Sequence, residues 1–124
     1  MKDFIMIAIG AVFGANARYW IGSWAAQKFG IGFPFGTLLI NFSGSLLLGF
    51  FITIATERFS LDPQWRHLIS VGFFGAYTTF STFTLDSIQL LIKGQWFYGL
   101  FNLFGSTMLG VLAAGVGIWL AKNV

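Results

Sequence analysis

The chain contains no cysteine, one histidine and two prolines. Without thiols it has no disulfide framework, no thiolate metal site and no cysteine nucleophile. Charge is equally scarce: Asp, Glu, Lys and Arg make up 9% of the 124 residues, against about 25% in an ordinary soluble domain. One His and four acids leave little material for acid–base catalysis, so an enzyme is not expected. The seven basic residues are scattered singly, so the net charge of +3 marks no basic patch, and no nucleic-acid partner is expected. Hydrophobic side chains are abundant, at 56% of the chain, with 16 Gly and 16 Phe. With a mean hydropathy of +0.79, the composition points to a small integral protein of the lipid bilayer.

The positions of the charges set the spans. Residues 29–56 and 94–121 carry no charged side chain, and neither do residues 67–85, a run that continues past Asp86 to Ile92. A hydrocarbon core takes about 20 residues of helix. In lipid every backbone amide and carbonyl must be satisfied within the protein, which favours helices at these lengths. The expected architecture is all-α, a single domain over residues 1–124 with four transmembrane helices near 4–27, 35–56, 66–92 and 96–121. Only Arg18 interrupts the first.

The connectors fit. Lys28 to Gly36 is a turn rich in Gly and Phe, and residues 57–63 are the most polar stretch. Ser60 or Asp62 is placed there to cap the next helix, with Pro63 just inside. Lys93-Gly94-Gln95 reads as a tight turn. Trp20, Trp24, Trp65, Trp96 and Trp119 all fall near predicted helix ends, where indoles favour the headgroup region. Lys2, the apolar stretch after it and Ala15-Asn16-Ala17 imitate a signal peptide, but Asp3 weakens the basic start and helix one is expected to stay uncleaved.

Four spans put both termini and the 57–65 loop on one side, with Lys2, Arg58, Arg66 and Lys122. The other side carries Lys28 and Lys93, plus Arg18 if it reaches that surface. The bias is slight. Charge counting leaves two outcomes open: one orientation set by the excess, or insertion both ways, which permits an antiparallel homodimer.

Several polar residues sit where lipid penalises them. Gly10 and Gly14 form a GxxxG face suited to close packing, within the chain or between two chains. Thr37, Asn41 and Ser45 share one face of helix two, beside Gly44. Asn102 and Ser106 share a face of helix four, with Thr107 adjacent. An isolated Asn reads as interhelical glue, but two polar faces in one small bundle read as the lining of a path. In helix three, the stretch Gly72 to Thr84 holds Thr78, Thr79, Ser81, Thr82 and Thr84 after Gly75, poor material for a regular helix. A break near Gly75–Thr79 is predicted, and freed carbonyls at such a break can hold a cation. Phe80 and Phe83 point one way amid these hydroxyls, and the positive edge of an aromatic ring suits a small anion. Arg18 lies about 21 Å along its helix from Phe4, where it either snorkels or attracts anions to a vestibule. Asp86 would repel anions if it faced the path, so pairing or snorkelling is expected of it.

Three motifs follow one another: Gly14-Ala15-Asn16-Ala17-Arg18-Tyr19, then Gly36-Thr37-Leu38-Leu39-Ile40-Asn41-Phe42-Ser43-Gly44, then Gly72-Phe73-Phe74-Gly75-Ala76-Tyr77-Thr78-Thr79-Phe80-Ser81-Thr82-Phe83. Together they closely resemble the Fluc (CrcB) fluoride channels over essentially the whole chain. The resemblance implies an antiparallel dual-topology homodimer with two fluoride pores, in the bacterial plasma (inner) membrane. It implies that Phe80 and Phe83 line the pores, that Asn41 contributes a donor and that Arg18 stands near the aqueous vestibule. It further implies a central structural sodium ion held at the helix-three break by the backbone carbonyls of Gly75 and Thr78. Asp86 departs from the glutamate expected in relatives, and the helix-four track of Asn102, Ser106 and Thr107 is more variable.

The residues suit that chemistry. Fluoride is small and tightly hydrated, so entry requires donors to replace water, and Asn41, Ser81, Thr82, Ser106 and Thr107 offer them. A sodium ion would offset anion charge in a low-dielectric interior. The expected mechanism is passive export of cytoplasmic fluoride down its electrochemical gradient. A rival is a proton-coupled exporter of the small multidrug resistance type, which needs an embedded carboxylate in helix one, where this chain has Arg18. A non-transporting assembly subunit would explain the GxxxG face but neither the polar stripes nor the break.

Overall fold

A computed structural model describes all 124 residues. The apolar runs form helices long enough to cross a bilayer: α1 Lys2–Phe29, α2 Phe35–Glu57, a third span Pro63–Ile92 and a fourth, α5, Trp96–Asn123. There is no strand. Each boundary lies within about one turn of that expected from the charge pattern.

The third span is two helices, α3 (residues 63–77) and α4 (Phe80–Ile92). Of the two candidate caps before it, Asp62 takes the role. Its Oδ1 accepts from the Gln64 amide at 2.9 Å, with Pro63 in the first turn. Ser60 instead adopts a left-handed φ of 44° in the turn. The break falls at Thr78 (φ −78°, ψ 157°) and Thr79 (φ −147°, ψ 116°), both extended, inside the predicted window. Thr79 then caps α4, its hydroxyl oxygen accepting from the Thr82 amide at 3.3 Å. Two features have no counterpart in the sequence reading: residues His67–Phe74 and Phe101–Gly105 are wound as π-helix. Such wider turns recur at functional sites.

Small residues decide the packing. The α1 face of Gly10 and Gly14 meets α3, where a Cβ on Gly10 would overlap the Leu68 carbonyl oxygen and one on Gly14 the Phe73 carbonyl oxygen. The GxxxG face is thus used within the chain. Helix α5 lies along α2, at its tightest where a Cβ on Gly117 would overlap the Leu46 carbonyl oxygen. Helix α4 instead leans on the first turns of α5 and barely meets α2. Only 19 of 124 residues are buried, with Ile40, Phe74 and Tyr77 as the apolar centre. Most large apolar side chains therefore point outward, and all five tryptophans are at least half exposed near helix ends, as suits a protein whose solvent is lipid.

Candidate functional site

Polar side chains from three helices converge on the break. Asn41 of α2 reaches across to Thr79, where its Nδ2 donates to the Thr79 carbonyl at 2.9 Å and its Oδ1 accepts from the Thr79 amide at 2.8 Å. One amide side chain thus satisfies both backbone groups of a residue that has left the helix, as a neighbouring strand would. Thr79 is buried, so water cannot do this instead. Beside it, Ser43 and Tyr77 hydroxyls lie 2.8 Å apart, and the Thr78 hydroxyl donates to the Phe74 carbonyl at 2.9 Å. In a continuous helix the amides of Thr79 and Thr82 would cover the carbonyls of Gly75 and Thr78. Here Thr79 donates to Asn41 and Thr82 to the Thr79 hydroxyl, which leaves those two carbonyls free of their helical partners.

On one side of the break is a cavity of about 600 Å³, lined among others by Arg18, Thr37, Thr79, Ser81, Thr82 and Asp86. Arg18 is half-buried and turned to this cavity. Asp86 faces it too, and the Thr37 hydroxyl donates to its Oδ2 at 3.0 Å. No ion pair joins Arg18 to Asp86. The Thr82 hydroxyl oxygen accepts from the Thr79 hydroxyl at 3.0 Å, so its own proton is available. The Ser81 hydroxyl spends its proton on no group of the chain. Donors and a guanidinium thus face the same space as a carboxylate held back by Thr37.

On the other side runs a groove of about 360 Å³, where Asn41, Ser45, Phe83, Ser106 and Thr107 come together. Asn41 and Ser45 of the α2 stripe meet Ser106 and Thr107 of α5 across it, while Thr37 faces the cavity instead. Here Ser106 and Thr107 turn their protons away, Ser106 to Asn102 Oδ1 at 2.9 Å and Thr107 to the Leu103 carbonyl. Asn102 itself is 1% exposed and lies behind the groove wall, not on it. Its Nδ2 donates at 2.8 Å to Ser87, whose hydroxyl donates to the Phe83 carbonyl at 2.7 Å. Phe80 lines neither space. Its ring is 77% exposed on the outer flank of α4, tilted 45° to the Phe83 ring with centroids 6.0 Å apart.

Sequence reasoning missed three contributors, Ser43, Tyr77 and Ser87. Ser87 had a readable signal, since it lies one turn beyond Phe83 on the same face and a lone serine in an apolar helix needs a partner. Tyr77 and Ser43 meet only because the chain breaks, and nothing local announces them.

Comparison with known proteins bears on this arrangement. Residues 5–118 match the family model described as CrcB-like protein, Camphor Resistance (CrcB). A protein of Trichormus variabilis named fluoride-specific ion channel FluC is 50% identical over 119 residues, 95% of this chain and 87% of its own length. One of the same name from a Synechococcus species is 45% identical over 116 residues, 94% of this chain and 89% of its own. A third, from Chloroflexus aurantiacus, is 40% identical over 122 residues, 98% and 97% respectively.

Proposed function

The chain belongs to the CrcB-like family, and we propose that it is a fluoride-selective ion channel, releasing cytoplasmic fluoride passively down its electrochemical gradient. One observation carries the reading. Asn41 of the groove and Thr79 of the cavity wall are bonded to each other, so the two spaces abut at the break. An ion drawn in by Arg18 meets the Ser81 and Thr82 donors first, then the Asn41 amide and the Phe83 ring, in a groove that Ser106 and Thr107 also line. Neutral donors of this kind replace the water a small anion sheds without binding it too tightly to leave. The ring of Phe83 turns toward the groove, where a positive ring edge suits a small anion.

A groove open along one flank conducts nothing through a bilayer. An antiparallel second copy would close it, bring the exposed Phe80 into the wall and repeat the pathway, giving two pores per dimer. The bias of basic residues toward one side is only slight, which supports insertion in both orientations. The carbonyls of Gly75 and Thr78, freed from helical amides, fit a central sodium ion. Hard cations take oxygen ligands, and such an ion would supply positive charge to the dry centre. The location that follows is the bacterial inner membrane. The drug-exporter alternative finds no support: α1 holds Arg18 in its span, and its only acid, Asp3, stands at the end.

The test is purified protein in liposomes with fluoride- and chloride-selective electrodes. Fluoride efflux well above that of empty vesicles, with chloride retained, is the expected outcome. Fluoride release no faster than from protein-free lipid overturns the assignment.

A further inference from the structure

Behind the groove wall, the bonds around Asn102 run in one direction. The Ser106 hydroxyl donates to Asn102 Oδ1, Asn102 Nδ2 donates to the Ser87 oxygen, and the Ser87 hydroxyl donates to the Phe83 carbonyl. Both inner members are sealed off, Asn102 at 1% and Ser87 at 0% exposure, so the hydrogen bonds that join them are made to protein partners and not to water. The outer member, Ser106, lines the groove. With its proton turned inward it offers the groove only lone pairs, which repel an anion.

The direction can reverse without moving a heavy atom far. Half a turn of the Asn102 amide exchanges Oδ1 and Nδ2 at almost the same positions. Ser87 then donates to Oδ1, Nδ2 donates to the Ser106 oxygen, and the Ser106 proton is released into the groove. The Phe83 carbonyl keeps its amide partner one turn along α4. Only a side chain that both donates and accepts performs this exchange: leucine of the same shape does neither, and an ionised aspartate only accepts.

We propose that Asn102 is a positioning residue that sets the hydrogen-bond polarity of Ser106, showing lone pairs to an empty groove and a proton to an entering small anion. The inference rests on the reading of the groove as a fluoride path. It gives the variable α5 position a function away from the ion, through Ser106.

The experiment compares wild type, Ser106→Ala, Asn102→Leu and the double variant in liposomes, recording initial fluoride efflux and the half-saturating fluoride concentration. Each single variant should slow efflux about tenfold and raise that concentration. The double variant should be no slower than the slower single, because both remove the same donated proton. Should Asn102→Leu fail to assemble, Ser87→Ala cuts the relay at its inner end, leaves Asn102 and the groove-lining Ser106 in place, and should couple to Ser106→Ala in the same way. Losses that multiply overturn the relay, since a packing role acts independently of the Ser106 proton. Full efflux in Asn102→Leu or Ser87→Ala beside an impaired Ser106→Ala overturns it, as does an unimpaired Ser106→Ala. Wild-type vesicles that hold their fluoride remove the channel reading itself and the relay with it.

Discussion

Phe83 and Phe80 lie one turn apart on α4, yet their surroundings differ. Phe83 is half-buried in the groove wall, whereas Phe80 projects 77% exposed beyond it. A ring that touches so little of its own chain contributes little to the fold of that chain, and its worth must lie in what it meets. Replacing either ring by isoleucine keeps apolar bulk and removes the positive edge. Phe80→Ile and Phe83→Ile should each cut fluoride efflux at least about tenfold while the protein elutes as the wild type does in size-exclusion chromatography. Wild-type efflux from both variants removes the rings from the pathway. From the residues alone the two rings read as packing or lipid contact, and the family resemblance is what points to them as pore lining; within the chain only Phe83 reaches the groove. Asn102 was legible only as polar, since whether a buried amide faces an ion or another side chain depends on which helix lies behind it. The spacing of Asn102 and Ser106 fixes their shared face but not that neighbour, and Ser87 supplies it from another span.

The broken third span shows what local sequence determines and what it leaves to packing. Gly75 followed by a run of β-branched hydroxyl residues weakens the helix, which is why the interruption could be placed near Gly75–Thr79. That the extended pair is Thr78 and Thr79 follows from α2: Asn41 stands opposite Thr79 and takes over both of its backbone groups. The π-helical turns at His67–Phe74 and Phe101–Gly105 were not legible, because an extra residue per turn is a compromise struck with neighbouring helices and has no strong propensity signature. Asn41→Leu leaves a buried amide and carbonyl unpaired at a cost of about 1–3 kcal/mol each. Asn41→Asp still accepts from the Thr79 amide and loses the bond to its carbonyl. Thermal melts in detergent should therefore rank wild type above Asn41→Asp and Asn41→Leu lowest, with efflux falling in the same order. A leucine variant as stable as wild type would show that the break holds itself open and that Asn41 serves the ion alone.

Across the molecule, a membrane chain with so little charge hands its orientation to a few side chains. Lys2, Arg58, Arg66 and Lys122 sit at one face, Lys28 and Lys93 at the other, and Arg18 turns into the cavity. Within the protein both arginines of the first face are already engaged: the Arg58 guanidinium donates to the Lys122 carbonyl at 3.0 Å and that of Arg66 to the Ala55 carbonyl at 3.3 Å. They close the C-terminal ends of α5 and α2, where positive charge is favoured, so their position reflects helix capping as much as topology. Ser60→Lys with Gln64→Lys adds two charges to the face of the termini and should commit nearly all chains to one orientation. If a working channel needs oppositely inserted copies, efflux from cells producing this variant alone should collapse. Ile31→Lys, Gly32→Lys and Gln95→Lys combined with Lys2→Gln and Lys122→Gln leave two basic residues on the face of the termini against five on the other, and this variant should fail alone in the same way. Producing the two together should restore fluoride export, because each supplies the orientation the other has lost. A single cysteine introduced by Val124→Cys, at an exposed position on the face of the termini, reads the orientation directly when labelled from either side of the membrane. Strong export from a variant labelled on one side only would mean that parallel chains suffice, and the groove would then have to be closed by some surface other than an inverted copy.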